Sequence, residues 1–215
     1  LPGLSGATLR IFYSFMVPIF GGRLWTTLTT ASLLIPAFGI GYAVQDPETP
    51  YFLFLVLALL CGFGGGNFAS SMANISFFFP KKEKGNALAL NAGLGNLGVS
   101  VMQFAVPLVI TAGVFGAMGG EAQVTGEGQR LWVQNAGFIW LVFLIPLAFA
   151  GWFGMNNLKV VTPNPGNPMS AFGKILGLYG VGLLTSIAGV WALSVMNMWL
   201  ALPITIVLTV VLLRL

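Results

Sequence analysis

From Gly85 to Phe115 the chain runs without a charged residue, directly after the basic cluster Lys81-Lys82-Glu83-Lys84. An uncharged stretch of that length is what a bilayer core about 30 Å thick asks of a helix, and few other environments accept it. The run also carries Asn91 and Asn96, with glycine at 93, 95 and 98. Glycine weakens a helix in water, but in a bilayer small residues let neighbouring backbones approach closely. At 100° per residue, Asn96, Ser100 and Gln103 form a polar stripe, with small Ala92 and Gly93 one turn before it. Asn91, Gly95 and Gly98 fall on a different, smooth face suited to packing. One polar face and one smooth face predict a helix inside a bundle, beside a wet or ligand-filled path. Gly93-Leu94-Gly95-Asn96-Leu97-Gly98 also satisfies G-x-G-x-x-G. The dinucleotide reading needs a preceding strand and an acid about 20 residues on. A basic loop and helical residues precede it here, and the next acid is Glu121.

The rest of the chain has the same character. Of 215 residues, 57% are apolar and 7% charged, with no histidine, and the mean hydropathy is +0.91. A soluble domain would be about one-quarter charged. No sustained alternation of apolar and polar residues supports membrane strands, so the predicted class is an all-α integral membrane bundle. Cys61, the single cysteine, lies in an apolar run and suits core packing.

About seven transmembrane helices are expected: Leu4–Phe20, Leu24–Val44, Tyr51–Phe79, Asn86–Phe115 (with a kink near Pro107), Trp132–Met155, Ser170–Leu193 and Asn197–Leu213. Between the fifth and sixth lies a connector, Asn156–Met169, with Pro163, Pro165 and Pro168. Arg23, Lys81, Lys82, Lys84, Lys159, Lys174 and Arg214 all fall on one side of this alternation, and Arg130 alone on the other. The positive-inside rule places the first side in the cytoplasm, giving a multi-pass protein of the inner (plasma) membrane.

Arg10 is the charge left over. It precedes the turn at Gly21 by about 16 Å of helix, near the midplane, where an arginine costs at least about 2.5–3.5 kcal/mol. No intramembrane Asp or Glu exists to pair with it, so a bound anion is the natural counter-ion; satisfaction by backbone carbonyls is the structural alternative. Asn96 and Phe68 lie at the same depth, each about 18 Å from the cytoplasmic end of its helix. Phe68 follows a glycine run, Gly62-Phe63-Gly64-Gly65-Gly66, and heads a stripe of Asn67, Ser70, Ser71 and Asn74. A guanidinium fork, an amide donor and an aromatic face suit a planar delocalised anion, although Phe68 fits plain packing as well. Asn74-Ile75-Ser76 matches a glycosylation sequon but lies within a membrane helix.

The run G-G-G-N-F-A-S-S-M-A-N-I-S-F-F-F-P-K from Gly64 to Lys81, with N-A-G-L-G-N-L-G-V-S from Asn91 to Ser100, resembles the nitrate/nitrite porter family of the major facilitator superfamily. The resemblance covers roughly residues 1–157. It implies two six-helix halves with the anion between them, worked by alternating access. It also implies that Arg10, in G-A-T-L-R-I-F-Y-S-F, is the first-half substrate arginine, that Asn96 is the signature amide, and that Phe68 packs on the substrate. The expected substrate-binding set is Arg10, Asn96, Phe68, Gly93 and Asn67. By the same resemblance, residues 1–157 are a partial N-terminal half lacking the first helix, and residues 158–215 are a Pro-rich cytoplasmic connector with two further helices. The chain begins at Leu1 without a methionine or signal pattern and stops straight after a hydrophobic helix. It is therefore expected to be a fragment whose second half lies elsewhere in the polypeptide.

The implied activity is secondary transport of nitrate and nitrite. Exchange is favoured over nitrate/proton symport because the helices hold no His, Asp or Glu to carry a proton. A membrane module that binds the anion without moving it is the alternative outside transport. The expected partners are nitrate, nitrite, the lipid bilayer and the missing C-terminal half. No cofactor, metal or nucleic acid is expected, and no nucleophile–base pair or paired carboxylates suggest an enzyme.

Overall fold

The computed structural model describes residues 1–158 and 167–214, apart from the side chains of Ala117 and Met118. Lys159, Pro163 and Pro165 of the expected connector lie outside the described residues. The chain divides into two compact units, Leu1–Pro163 and Asn164–Leu215.

Proline decides where the first rods are interrupted. The first expected helix is split into α1 (Pro2–Ser14) and α2 (Met16–Phe20), and the second into α3 (Gly22–Ser32) and α4 (Leu34–Ala43). A proline lacks the N–H that would bond four residues back, and its ring crowds that carbonyl. Counting four back from Pro18 and Pro36 gives Ser14 and Ser32, where α1 and α3 end. The third rod breaks at Cys61 into α5 (Tyr51–Leu60) and α6 (Gly62–Phe78). No proline is responsible there; the glycine run that follows has low helix propensity. The Ser5 hydroxyl of α1 donates to the Leu59 carbonyl beside this break, at 2.8 Å.

Helix α7 (Lys81–Ile110) passes Pro107 without interruption and begins earlier than expected. The lysine cluster is its first turn, with Pro80 in an extended conformation as N-cap. At the other end the helix stops at Ile110, and Gly116–Gly119 form a short 3-10 turn. The following loop contains a small antiparallel pair not expected from the sequence, β1 (Gln123–Val124) with β2 (Arg130–Leu131). Helix α8 (Asn135–Gly154) completes the first unit.

In that unit α1 packs on α6, α3 lies against both α6 and α8, α4 meets α5 and α8, and α7 touches α6 and α8. Phe12, Tyr13, Met16, Val17 and Trp25 form a buried cluster, with the Tyr13 and Trp25 rings edge to face at 5.0 Å. The α4–α8 seam is closed by glycine: Phe138, 1% exposed, sits on Gly41, and Gly137 faces the Ala37 carbonyl. An apolar cavity of about 360 Å³ remains between α4, α8 and the α5–α6 junction, lined by Leu33, Ile40, Cys61 and Trp140 among others. Helix α7 buries none of its residues.

Carboxamides secure both ends of the unit. At one end Gln134 donates to the Gly119 and Glu121 carbonyls, Asn135 to those of Val109 and Ala112, and Gln123 to that of Val44. At the other, Asn157 accepts from the Arg23 backbone N–H at 3.0 Å, and Asn74 lies against Gly22. The turn between them uses Gly21 at φ 82°, a left-handed conformation that favours glycine.

In the second unit, α9 (Pro168–Val195) is capped by Asn167, which accepts from the Met169 and Ser170 N–H groups. It packs against α10 (Met198–Arg214) through Gly189, which faces Thr205.

Seven rods were expected to cross a membrane. Among the described residues five helices are long and apolar enough: 22–43, 51–78, 81–110, 135–154 and 168–195. Met198–Arg214 is apolar but only 17 residues long, and Pro2–Phe20 is interrupted at Phe15. Large apolar side chains such as Phe104, 79% exposed, coat the outside, as lipid-facing surfaces do.

Candidate anion-binding site

The site grows out of the contact between α1 and α6. A stripe of Gly62, Gly65 and Gly66 on α6 meets Ser5, Gly6, Leu9 and Tyr13 on α1. A Cβ built on Gly65 would lie 2.8 Å from the Gly6 Cα, so the two backbones nearly touch. This approach brings the Gly65 carbonyl within reach of Arg10, whose Nε–H donates to it at 3.2 Å. One turn along α6, the Phe68 ring lies under the guanidinium, with its centroid 5.1 Å from Cζ. That is within the range of a cation–π contact.

Five N–H donors in a planar fork are available to an arginine. One is used by Gly65, a ring covers one face, and the side chain is otherwise exposed. Among the described residues Arg10 has no other hydrogen-bond partner, and no acid lies in α1 to α6. What remains is a fixed cationic edge with an aromatic floor, a shape and charge suited to a small planar anion.

Of the other expected site residues, Asn67 is held elsewhere. The Thr29 hydroxyl of α3 lies within hydrogen-bond distance of both the Trp25 carbonyl and the Asn67 Oδ1, and Ser70 donates to the Asn67 carbonyl at 3.0 Å. Its polar stripe thus knits α6 to α3. Asn96 and Gly93 are on α7. The Asn96 side chain is exposed and makes no hydrogen bond among the described residues, and nothing lies within 4 Å of a Cβ built on Gly93. From the face expected to pack, Asn91 donates to the Ser71 hydroxyl on α6 at 3.2 Å, whereas Gly95 and Gly98 stay open. The structure therefore joins Arg10 to Phe68 and leaves Asn67, Gly93 and Asn96 outside that contact. Sequence reasoning missed the Gly65 carbonyl; the signal was its position within the glycine run.

With five helices among the described residues long and apolar enough to cross a membrane, the fold is that of a polytopic membrane bundle, and within it Arg10 meets a backbone carbonyl and an aromatic ring. No protein-family profile matches the chain. It is 56% identical over 158 residues to the nitrate/nitrite transporters NarU of Salmonella typhimurium and of Escherichia coli, and 44% identical over 164 residues to the probable nitrate/nitrite antiporter NarK2 of Thermus thermophilus. Each match covers 74% of this chain, and 34% of either NarU or 37% of NarK2. The chain is a homologue of the nitrate/nitrite porters of the major facilitator superfamily, and it spans about a third of the length of the curated relatives it matches.

Proposed function

We propose that the chain forms part of a secondary transporter that exchanges nitrate and nitrite across the inner membrane by alternating access, with its basic loops in the cytoplasm. One observation carries this reading: Arg10 has its Nε on a backbone carbonyl, its face on Phe68 and, among the described residues, no carboxylate to neutralise it. A membrane-embedded cation so arranged needs an anionic partner. Arg10 is the clamp, and Phe68 lies against the bound anion. Asn96 adds an amide donor when substrate is engaged, Gly93 leaves room beside it, and Asn67 completes the set while holding α6 in register with α3. Names of the relatives include both transporters and antiporters of nitrate and nitrite.

Exchange is preferred to proton symport. Glu83 is the one acid in these helices, and it sits in the first turn of α7 among lysines, at the helix end. It is no proton carrier at mid-membrane depth.

The test is nitrate–nitrite counterflow in proteoliposomes, using the transporter polypeptide that carries these residues and its Arg10→Lys variant. Lysine keeps the charge and loses the planar fork. Exchange should fall at least about tenfold, the scale of one hydrogen bond to a charged group. Unchanged exchange would make Arg10 structural and remove the basis of the reading. Uptake that requires a proton gradient and runs without internal nitrite would replace exchange with symport.

A further inference from the structure

We infer that Gly65 is a positioning residue: its carbonyl, brought in by the glycine contact between α1 and α6, sets the rotation of the Arg10 guanidinium and so determines how tightly the site holds nitrate. This rests on the transport reading above.

A guanidinium held only by its stem is free to turn about the last torsions of the side chain. Binding a planar anion then costs the freedom lost on fixing it. Here two contacts fix the plane beforehand. The Nε–H···O bond to Gly65 pins one edge, and the Phe68 ring supports one face. The edge opposite Gly65 carries the Nη donors, and two of them form the parallel pair that matches two oxygens of an oxyanion. Orientation is thus settled by a backbone atom, whose position depends on how closely two helices approach.

That approach depends on missing side chains. A Cβ on Gly65 would meet the Gly6 Cα at 2.8 Å, and one on Gly6 would meet the Gly65 Cα at 3.2 Å and the Gly62 carbonyl at 3.3 Å. The obstructing atoms are backbone, so no rotamer change relieves them. A methyl at position 65 pushes α6 away from α1 and stretches a bond already at 3.2 Å. The arginine keeps its charge and its place on α1 but loses its bearing. Gly64, the adjacent residue on α6, is different. A Cβ there would find only Leu33 side-chain atoms, at 3.6 Å, an ordinary contact.

The experiment compares Gly65→Ala and Gly64→Ala with wild type in the same polypeptide. It reads KM and kcat of nitrate–nitrite exchange, together with the ¹⁵N-resolved Nε–H resonance of Arg10, assigned by its loss in Arg10→Lys. Gly65→Ala should raise KM for nitrate about tenfold, the scale of one hydrogen bond to a charged group, and shift the Nε–H signal towards that of a solvated arginine. Gly64→Ala should change neither. A general loss of folded protein would lower the number of active molecules and leave KM alone, so KM separates positioning from damage. Should Gly65→Ala fail to fold, Gly6→Ala, with its milder clash, carries the same expectation. A folded Gly65→Ala or Gly6→Ala protein with wild-type KM, or with an unmoved Nε–H signal, overturns the inference. Wild-type protein that fails to exchange nitrate overturns the transport reading itself.

Discussion

Replacing Gly137 by alanine tests whether the α4–α8 seam is as tight as its geometry states. The new methyl would lie 2.6 Å from the Ala37 carbonyl oxygen, 2.7 Å from the Gly41 nitrogen and 3.0 Å from the Gly41 Cα. All three are backbone atoms, so α8 must withdraw from α4 by roughly 0.5–1 Å to restore normal contact, and a gap of that size forfeits part of the dispersion energy along the seam. Phe138, wedged on Gly41 one residue away, moves with it. Overpacking of this kind costs about 1–3 kcal/mol. Gly154 lies on the same helix with nothing within 4 Å of a built Cβ, and there alanine gains only its helix preference, roughly 0.5–1 kcal/mol. Because both variants share that gain, their difference isolates the clash. Thermal unfolding in detergent, followed by tryptophan fluorescence, should place Gly137→Ala below Gly154→Ala by roughly 2–12 °C, from about 2–4 °C per kcal/mol for a chain of this size. Equal midpoints would mean that the seam has slack, and the close approach of α4 and α8 would be refuted.

Two further substitutions probe the polar stitching. Gln134→Leu leaves the Gly119 and Glu121 carbonyls without their donor, at a cost of about 1–3 kcal/mol; trypsin should then cut at Arg130 faster than in wild type, and an unchanged rate would contradict the role given to Gln134. Thr29→Val removes the link between α3 and Asn67 and should lower stability by about 0.6–1.7 kcal/mol, the range for hydrogen bonds between membrane helices. Because Asn67 belongs to the proposed substrate set, the variant's KM for nitrate should rise, and a wild-type KM would remove Asn67 from that set.

Much of the architecture could be read from the chain because its determinants are local. Uncharged runs set the rods, and Pro80 with the lysines marks where one ends and the next begins. The level shared by Arg10 and Phe68 follows from counting residues inward from the turns. The interruptions at Phe15 and Leu33 were equally legible in principle, since Pro18 and Pro36 dictate them through the carbonyl four residues back; treating each hydrophobic run as one helix hid them. Lys81–Lys84 was harder. Four charged residues after a proline suggest a loop, yet Pro80 serves as an N-cap and the cluster becomes a helical turn. Asn67 shows a different limit. A polar stripe on a helix can be recognised from its period, but which neighbour it faces is a property of the packed bundle. Here it faces α3, through Thr29. The Gly65 carbonyl was invisible for a related reason: a backbone acceptor becomes part of a site only when another helix comes within reach.

Five carboxamides pin the two ends of the first unit: Gln123, Gln134 and Asn135 at one, Asn74 and Asn157 at the other. Carboxylates or histidines could make similar contacts, but their grip would alter as protons came and went. A carboxamide has no proton to gain or lose over the ordinary pH range. These contacts at the two ends of the unit are therefore indifferent to acidity, and would hold equally at either pH if the ends faced different compartments. On the proposed exchange, an acid or alkaline limb in the rate would not originate in these amide contacts, because a carboxamide does not titrate.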